Sequence, residues 1–173
     1  MKNLNLILAG VFACVAAVWA GLLVTAQVQL GSLGRAPAEE GGPLFPSREP
    51  GLAIQGRAVY VDLGCVACHT QQVRPAGQGS DIARGYGVRP SVARDYVLQS
   101  QVLLGHRRVG PDLANYGTRA KPEAELAAFL STPSPGINHS PYAFLSAERS
   151  AALVAYLKSL RQDYSSPEAK LKQ

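Results

Sequence analysis

Apolar positions fall into one unbroken run followed by several shorter periodic segments. From Leu6 to Ala26, 21 residues, no side chain is charged. A helix rising about 1.5 Å per residue would carry such a run across the roughly 30 Å of a bilayer core. Lys2 precedes the run and Arg35 is the next charge, which favours a cytoplasmic N-terminus and export of the chain beyond the run. A cleaved signal ending at Val24-Thr25-Ala26 and a lipoprotein modified at Cys14 are the alternatives to an uncleaved anchor. The run is long for a signal core, and Phe12 is bulky for a lipoprotein site. All three readings place the remaining chain outside the cytoplasm.

Residues 31–52 contain five glycines and four prolines and read as a linker or irregular arm. Its 22 residues would reach ~65 Å if fully extended at about 3.1 Å each. From Ala53 to Leu63 the pattern is helical, with Ile54, Ala58, Val59, Tyr60 and Leu63 apolar and Gly64 as a stop. Residues 73–90 read as loop. Ser91 to Gln101 reads as a helix with Val92, Tyr96, Val97 and Leu98 inward. Pro122 to Leu130 reads as a helix with Pro122 in its first position and Glu123 and Glu125 at its positive end. Thr132 to Pro141 is proline-rich loop. Ser146 to Arg161 has the clearest periodicity: Ser146 as cap, Glu148 in the first turn, and Leu153, Tyr156, Leu157 and Leu160 along one face. From Gln162 onward the chain is polar and is expected to fray. No strand-period segment persists. The expected fold is all-α, with residues 1–30 as anchor, 31–52 as linker, 53–162 as a small helical domain and 163–173 as a polar tail.

Composition narrows the classes. The chain has 173 residues and net charge +5, with 17 basic and 12 acidic side chains. No run of Lys or Arg occurs, so a nucleic-acid-binding arm or a polybasic membrane patch is not expected. Three cysteines can form at most one disulfide and do not staple a fold.

Two of those cysteines lie in Cys65-Val66-Ala67-Cys68-His69, a C-x-x-C-H motif, the signature of covalent c-type haem attachment. Two thiols must add to the two vinyl groups on one side of a porphyrin, and one turn separates them. The next residue, His69, then falls beneath the iron as an axial nitrogen. A thioredoxin-like site would need a βαβ setting. A zinc site would need four ligands, such as the two cysteines with His106 and His139, and would leave His69 without a purpose. Some forty residues on, Pro111 has a carbonyl able to accept the second N–H of His69 and so set its tautomer; an ordinary turn is the equal alternative.

Gly56-Arg57, Tyr60, the C-x-x-C-H motif, Gly110-Pro111-Asp112-Leu113 and the Leu153-Val154-Ala155-Tyr156-Leu157 helix together resemble a class I cytochrome c domain. Cys68-His69-Thr70-Gln71-Gln72-Val73-Arg74-Pro75, Asp95-Tyr96-Val97 and Leu104-Gly105-His106-Arg107-Arg108-Val109-Gly110-Pro111-Asp112-Leu113 resemble, more narrowly, the mono-haem cytochrome c subunit of cbb3-type haem–copper oxidases. The resemblance implies one covalently attached haem c held by Cys65 and Cys68, with His69 as proximal ligand and Pro111 orienting it. Arg108 and Arg74 become candidates for the haem propionates. The family's distal ligand is a methionine in a proline-bearing loop, three residues before a tyrosine. This chain has one methionine, Met1, and His139 stands at the matching place. His139 is therefore the expected distal ligand, with His106 as rival and an open sixth position as the third alternative.

The function so implied is single-electron transfer by a membrane-anchored cytochrome c that is not catalytic alone. It would be a subunit of a haem–copper terminal oxidase, partnered by the catalytic subunit and by another cytochrome c subunit or donor. It would cross the cell inner membrane once, with its haem domain on the periplasmic side. A free-standing tethered cytochrome serving another redox enzyme, and a gas sensor or peroxidase-like protein with an open iron site, are the competing classes.

Overall fold

The uncharged N-terminal run has no partner for a tertiary core, and helix is the one structure that satisfies its own backbone groups without water. In a computed structural model describing residues 2–31, 33–132, 136 and 139–170, it forms helix α1 (Lys2–Trp19), a π-helical turn (Ala20–Val24) and helix α2 (Thr25–Leu30). Asn3–Leu30 is long and apolar enough to cross a membrane once. Cys14 and Trp19 are exposed on this helix. The wider turn ends where the Thr25 hydroxyl donates to the Ala20 carbonyl at 3.2 Å.

The chain divides into this unit, ending at Arg35, and a second unit beginning at Ala36. The second unit is built on two helices, α3 (Gly51–Asp62) and α5 (Ala147–Ser159). Ser146 caps α5 by accepting the Arg149 amide at 3.4 Å. Its predicted apolar face is buried: Leu153, Tyr156, Leu157 and Leu160 are at most 6% exposed. α3 rotates its stripe relative to the sequence reading. Ala53, Gly56, Val59 and Tyr60 face inward, whereas Ile54 is 58% exposed and Ala58 is also exposed. The reason lies at Gly56. A Cβ there would overlap the Ala152 carbonyl and lie 2.8 Å from the Tyr156 Cβ. The two helix backbones approach so closely that only glycine fits, and that contact fixes which face turns in. Tyr60 and Tyr156 meet beside it with ring centroids 5.3 Å apart, a pairing that adds about 0.5–1.5 kcal/mol beyond burial.

α4 (Glu123–Ser131) starts one residue later than expected, with Pro122 just outside it, and buries Leu126 and Leu130. The helix expected over Ser91–Gln101 is reduced to a 3₁₀ turn, Ala93–Tyr96, and Leu98 is exposed. The Asp95 carboxylate accepts the Val92 amide at 2.8 Å, a contact that caps the start of this turn, and pairs with Arg89 at 2.8 Å.

The ends of the domain also differ from expectation. In the segment read as linker, Ala36–Pro37 (β1) and Leu44–Phe45 (β2) form a two-residue antiparallel ladder. Phe45 stacks on Tyr164 at 4.6 Å. Residues 31–52 are thus not one free tether. The tail does not fray after Gln162. Gln162, Tyr164, Ser166 and Ala169 are buried, and α6 (Pro167–Lys170) comes next. Tyr164 donates to Asp95 and accepts the Arg89 Nε at its carbonyl at 2.8 Å. A buried ion pair requires such extra partners, and the tail supplies them. Residues 133–135, 137 and 138 of the proline-rich loop, and 171–173 of the tail, lie outside the described residues.

This packing sets two expected outcomes. Gly56→Ala should lower the unfolding free energy by about 1–3 kcal/mol or more, read as a shift in denaturant midpoint; Gly34→Ala, whose added Cβ meets nothing within 4 Å, should not. Glu168 is held down to about 2, from 4.5, by hydrogen bonds from Arg94 and then Ser166. A carboxylate with a depressed folded value stabilises above its unfolded value and loses that contribution as pH falls through the folded one. Amide protection factors in residues 162–170, exchange rates taken relative to the intrinsic rate at each pH, should therefore fall between pH 4.5 and 2, and Glu168→Gln should flatten that response.

Candidate functional site

α3 ends at Leu63, and Gly64 turns the chain at φ +71°, a left-handed conformation that glycine adopts without strain. The turn delivers Cys65–Ala67 as one 3₁₀ turn, in which the His69 amide donates to the Cys65 carbonyl at 3.0 Å. Neither Cys65 nor Cys68 is joined in a disulfide. Cys65 is half-buried and Cys68 exposed. Burial pushes the Cys65 thiol up, against a hydrogen bond from Tyr142.

His69 Nδ1 lies 2.8 Å from the Pro111 carbonyl oxygen. That carbonyl can only accept, so Nδ1 carries the proton and Nε2 is left with its lone pair. Burial lowers the His69 pKa, opposed by the Pro111 contact. Burial thus favours the neutral form that a metal ligand requires. Gly110 lies directly against it: a Cβ there would stand 2.7 Å from Nδ1 and 2.8 Å from Nε2.

The segment carrying Pro111 is tied to the segment after the motif by a short ladder. The Gly110 amide donates to the Cys68 carbonyl at 3.0 Å, and the Leu113 amide to the Thr70 carbonyl at 2.8 Å. Asp112, fully buried, accepts the Thr70 hydroxyl at 2.6 Å, the Gln72 amide at 2.8 Å and the Ala114 amide at 2.9 Å.

Across from His69 stands His139, with ring centroids 6.4 Å apart and planes at 53°. Phe129 and Tyr142 flank it at 5.5 and 5.6 Å. Two imidazoles bonded to one metal from opposite sides at about 2.0–2.1 Å would have centroids roughly 6 Å apart. The donor set of two thiols, a neutral imidazole with its second nitrogen engaged, and a facing imidazole fits haem c. His106 is exposed, and among the described residues no ring contact joins it to His69.

Arg74 and Arg108 converge as the sequence suggested, but on protein carboxylates. Arg74 binds Asp81 through its amide at 2.7 Å, Nε at 3.2 Å and Nη2 at 2.9 Å. Arg108 donates to Asp81, to the Gln72 carbonyl and, through Nε, to the Thr70 hydroxyl at 2.7 Å. Burial alone would raise the Asp81 pKa; the hydrogen bonds from both arginines outweigh it and hold the carboxyl well below the ordinary range. Arg74, Arg84, Arg108, Tyr86 and Pro111 line an open cleft of about 420 Å³ at this cluster. Sequence reasoning missed Asp81, which sits in a stretch with no periodic signal. Asp112 was visible within Gly-Pro-Asp-Leu, and its role emerges only from the contacts.

The family described as "Cytochrome C oxidase, mono-heme subunit/FixO" matches residues 47–150, a span that holds the motif, the Gly110–Leu113 stretch and His139. No curated protein matches the chain. Gly110→Ala should push the His69 ring off its Pro111 contact. The expected result is a larger high-spin fraction in the ferric absorption spectrum than in wild type, with covalent attachment retained because Cys65 and Cys68 are untouched.

Proposed function

The chain belongs to the family of mono-haem subunits of cytochrome c oxidase, of the cbb3 type, and from that premise we propose that it is a membrane-anchored relay passing single electrons towards the oxygen-reducing subunit. As a cytochrome c oxidase subunit it carries one covalently attached haem c and takes part in electron transfer beside a catalytic subunit. Bound haem supplies a one-electron iron couple. In our reading Cys65 and Cys68 form the thioether links and His69 binds the iron through Nε2. Pro111 holds the Nδ1 proton, which makes the imidazole a stronger donor. His139 would supply a second imidazole to the iron. Arg74 and Arg108, already shared with Asp81, would be the cations offered to the haem carboxylates. The uncharged run after Lys2 supports a single crossing with the haem domain on the periplasmic side.

The observation that carries this reading is the pair of contacts on His69: 2.8 Å to the Pro111 carbonyl on one side and a facing His139 ring at 6.4 Å on the other. A peroxidase or sensor would hold such an imidazole off the iron as an acid, base or hydrogen-bond donor, so the coordination state of His139 is what separates the readings.

Bis-imidazole iron favours the ferric state relative to thioether ligation. His139→Met should therefore raise the reduction potential by a sizeable fraction of the roughly 0.8 V that axial ligands span. A weak long-wavelength ferric band typical of sulfur ligation should appear with it. His139→Ala should turn the ferric spectrum high-spin. A low-spin spectrum that survives His139→Ala and is lost in His106→Ala would transfer the assignment to His106.

A further inference from the structure

Asp81 is 0% exposed, although the loop around it is largely at the surface. A carboxylate is not buried there without cost. Taking one charge out of water requires strong compensating partners, and a simple surface loop offers no reason for it. The partners of Asp81 are the two guanidiniums of Arg74 and Arg108, and what those arginines touch next is informative. Arg108 reaches Thr70, Gln72 and, at 3.4 Å, Asp112. Thr70 follows His69 directly, and Asp112 follows Pro111 directly. Arg108 thus spans the seam between the segment that carries His69 and the segment that supplies its hydrogen-bond acceptor. Arg74 fixes the far end of the first segment to the same carboxylate, also through its backbone amide at 2.7 Å.

We propose that Asp81 is a positioning residue for the proximal histidine: by fixing Arg108 across the seam between residues 70–74 and 108–112, it holds the Pro111 carbonyl on His69 Nδ1. It touches neither the ring nor the haem. Its effect travels through Arg108, and it rests on the reading of His69 as the iron ligand. Loosening the seam weakens the bond from Nδ1 to Pro111, makes the imidazole a poorer donor and favours ferrous iron.

This differs in sign from a simple charge effect. Removing the Asp81 charge by itself raises the haem potential, and removing the Arg108 charge by itself lowers it. If both residues act by holding the seam, both removals raise it. The test is the reduction potential of the full-length haem-loaded protein as wild type, Asp81→Asn, Arg108→Gln and the double variant. Positioning predicts an upward shift in both single variants and no larger shift in the double. Asp81→Glu, which keeps the carboxylate, should restore most of the wild-type value. Opposite shifts that cancel in the double variant, or no shift in Arg108→Gln, would overturn the proposal. If Asp81→Asn gives no folded haem protein, Asp81→Glu and Arg108→Gln decide together: a near wild-type potential in the first with an upward shift in the second supports the proposal, and a downward shift in Arg108→Gln overturns it. His69→Ala separates the levels. A low-spin ferric spectrum that survives this substitution means that the site reading itself fails. A spectrum lost in His69→Ala, with opposed potential shifts, means that only the role of Asp81 fails.

Discussion

Two segments forty residues apart must meet at hydrogen-bond distance for His69 to be oriented, and the buried Asp112 carboxylate is what joins them. It takes the Thr70 hydroxyl and the Gln72 amide on one side of the seam and the Ala114 amide on its own. These partners let a carboxylate persist at 0% exposure, where an unpaired charge would be strongly unfavourable. The same bonds set the register in which Gly110 meets Cys68 and Leu113 meets Thr70. Pro111 then falls opposite Nδ1 as a consequence. The site is therefore a property of the seam more than of the motif, which supplies the donors and leaves their orientation open.

Beneath the seam, the α3–α5 crossing provides the floor. Gly56 brings the backbones together, and the Tyr156 hydroxyl reaches Gln71, whose side-chain nitrogen donates to it at 3.0 Å. Gln71 is 2% exposed and lies two residues beyond His69. The Gln71 and Tyr156 side chains thereby link helix packing to the proximal segment. Buried polar pairs of this kind confer specificity of arrangement when every group is satisfied.

A second buried ion pair, Arg89 with Asp95, plays a comparable part at the other end of the domain. It draws in Tyr164, and Tyr164 stacks on Phe45. The arm before α3 and the segment after α5 are thereby closed onto the same cluster. Neither segment has enough apolar residues to order itself alone. Both are ordered because a buried charge pair needs their hydrogen bonds and aromatic faces.

What the sequence determined by itself is local. An uncharged run of 21 residues has to be a helix in any apolar surrounding, and C-x-x-C-H states its chemistry through spacing within one turn. The 3.6-residue period of Leu153, Tyr156, Leu157 and Leu160 states which face of α5 is buried. The Pro111 carbonyl was one of two equal readings in the sequence, and the contact with His69 Nδ1 decides it. The tertiary structure decided the rest. It turned Ile54 outward, because Gly56 alone permits the close crossing. It paired Arg89 with Asp95 at the 3₁₀ turn that stands where a helix from Ser91 was expected. It ordered the arm and tail, because Tyr164 answers that same pair. It gave Asp81 its place between two arginines. In each case the deciding partner lies outside the window over which a periodicity can be read. The energy comes from desolvating a charge or a backbone contact that exists only once the chain has closed, and no local pattern of residues carries that information.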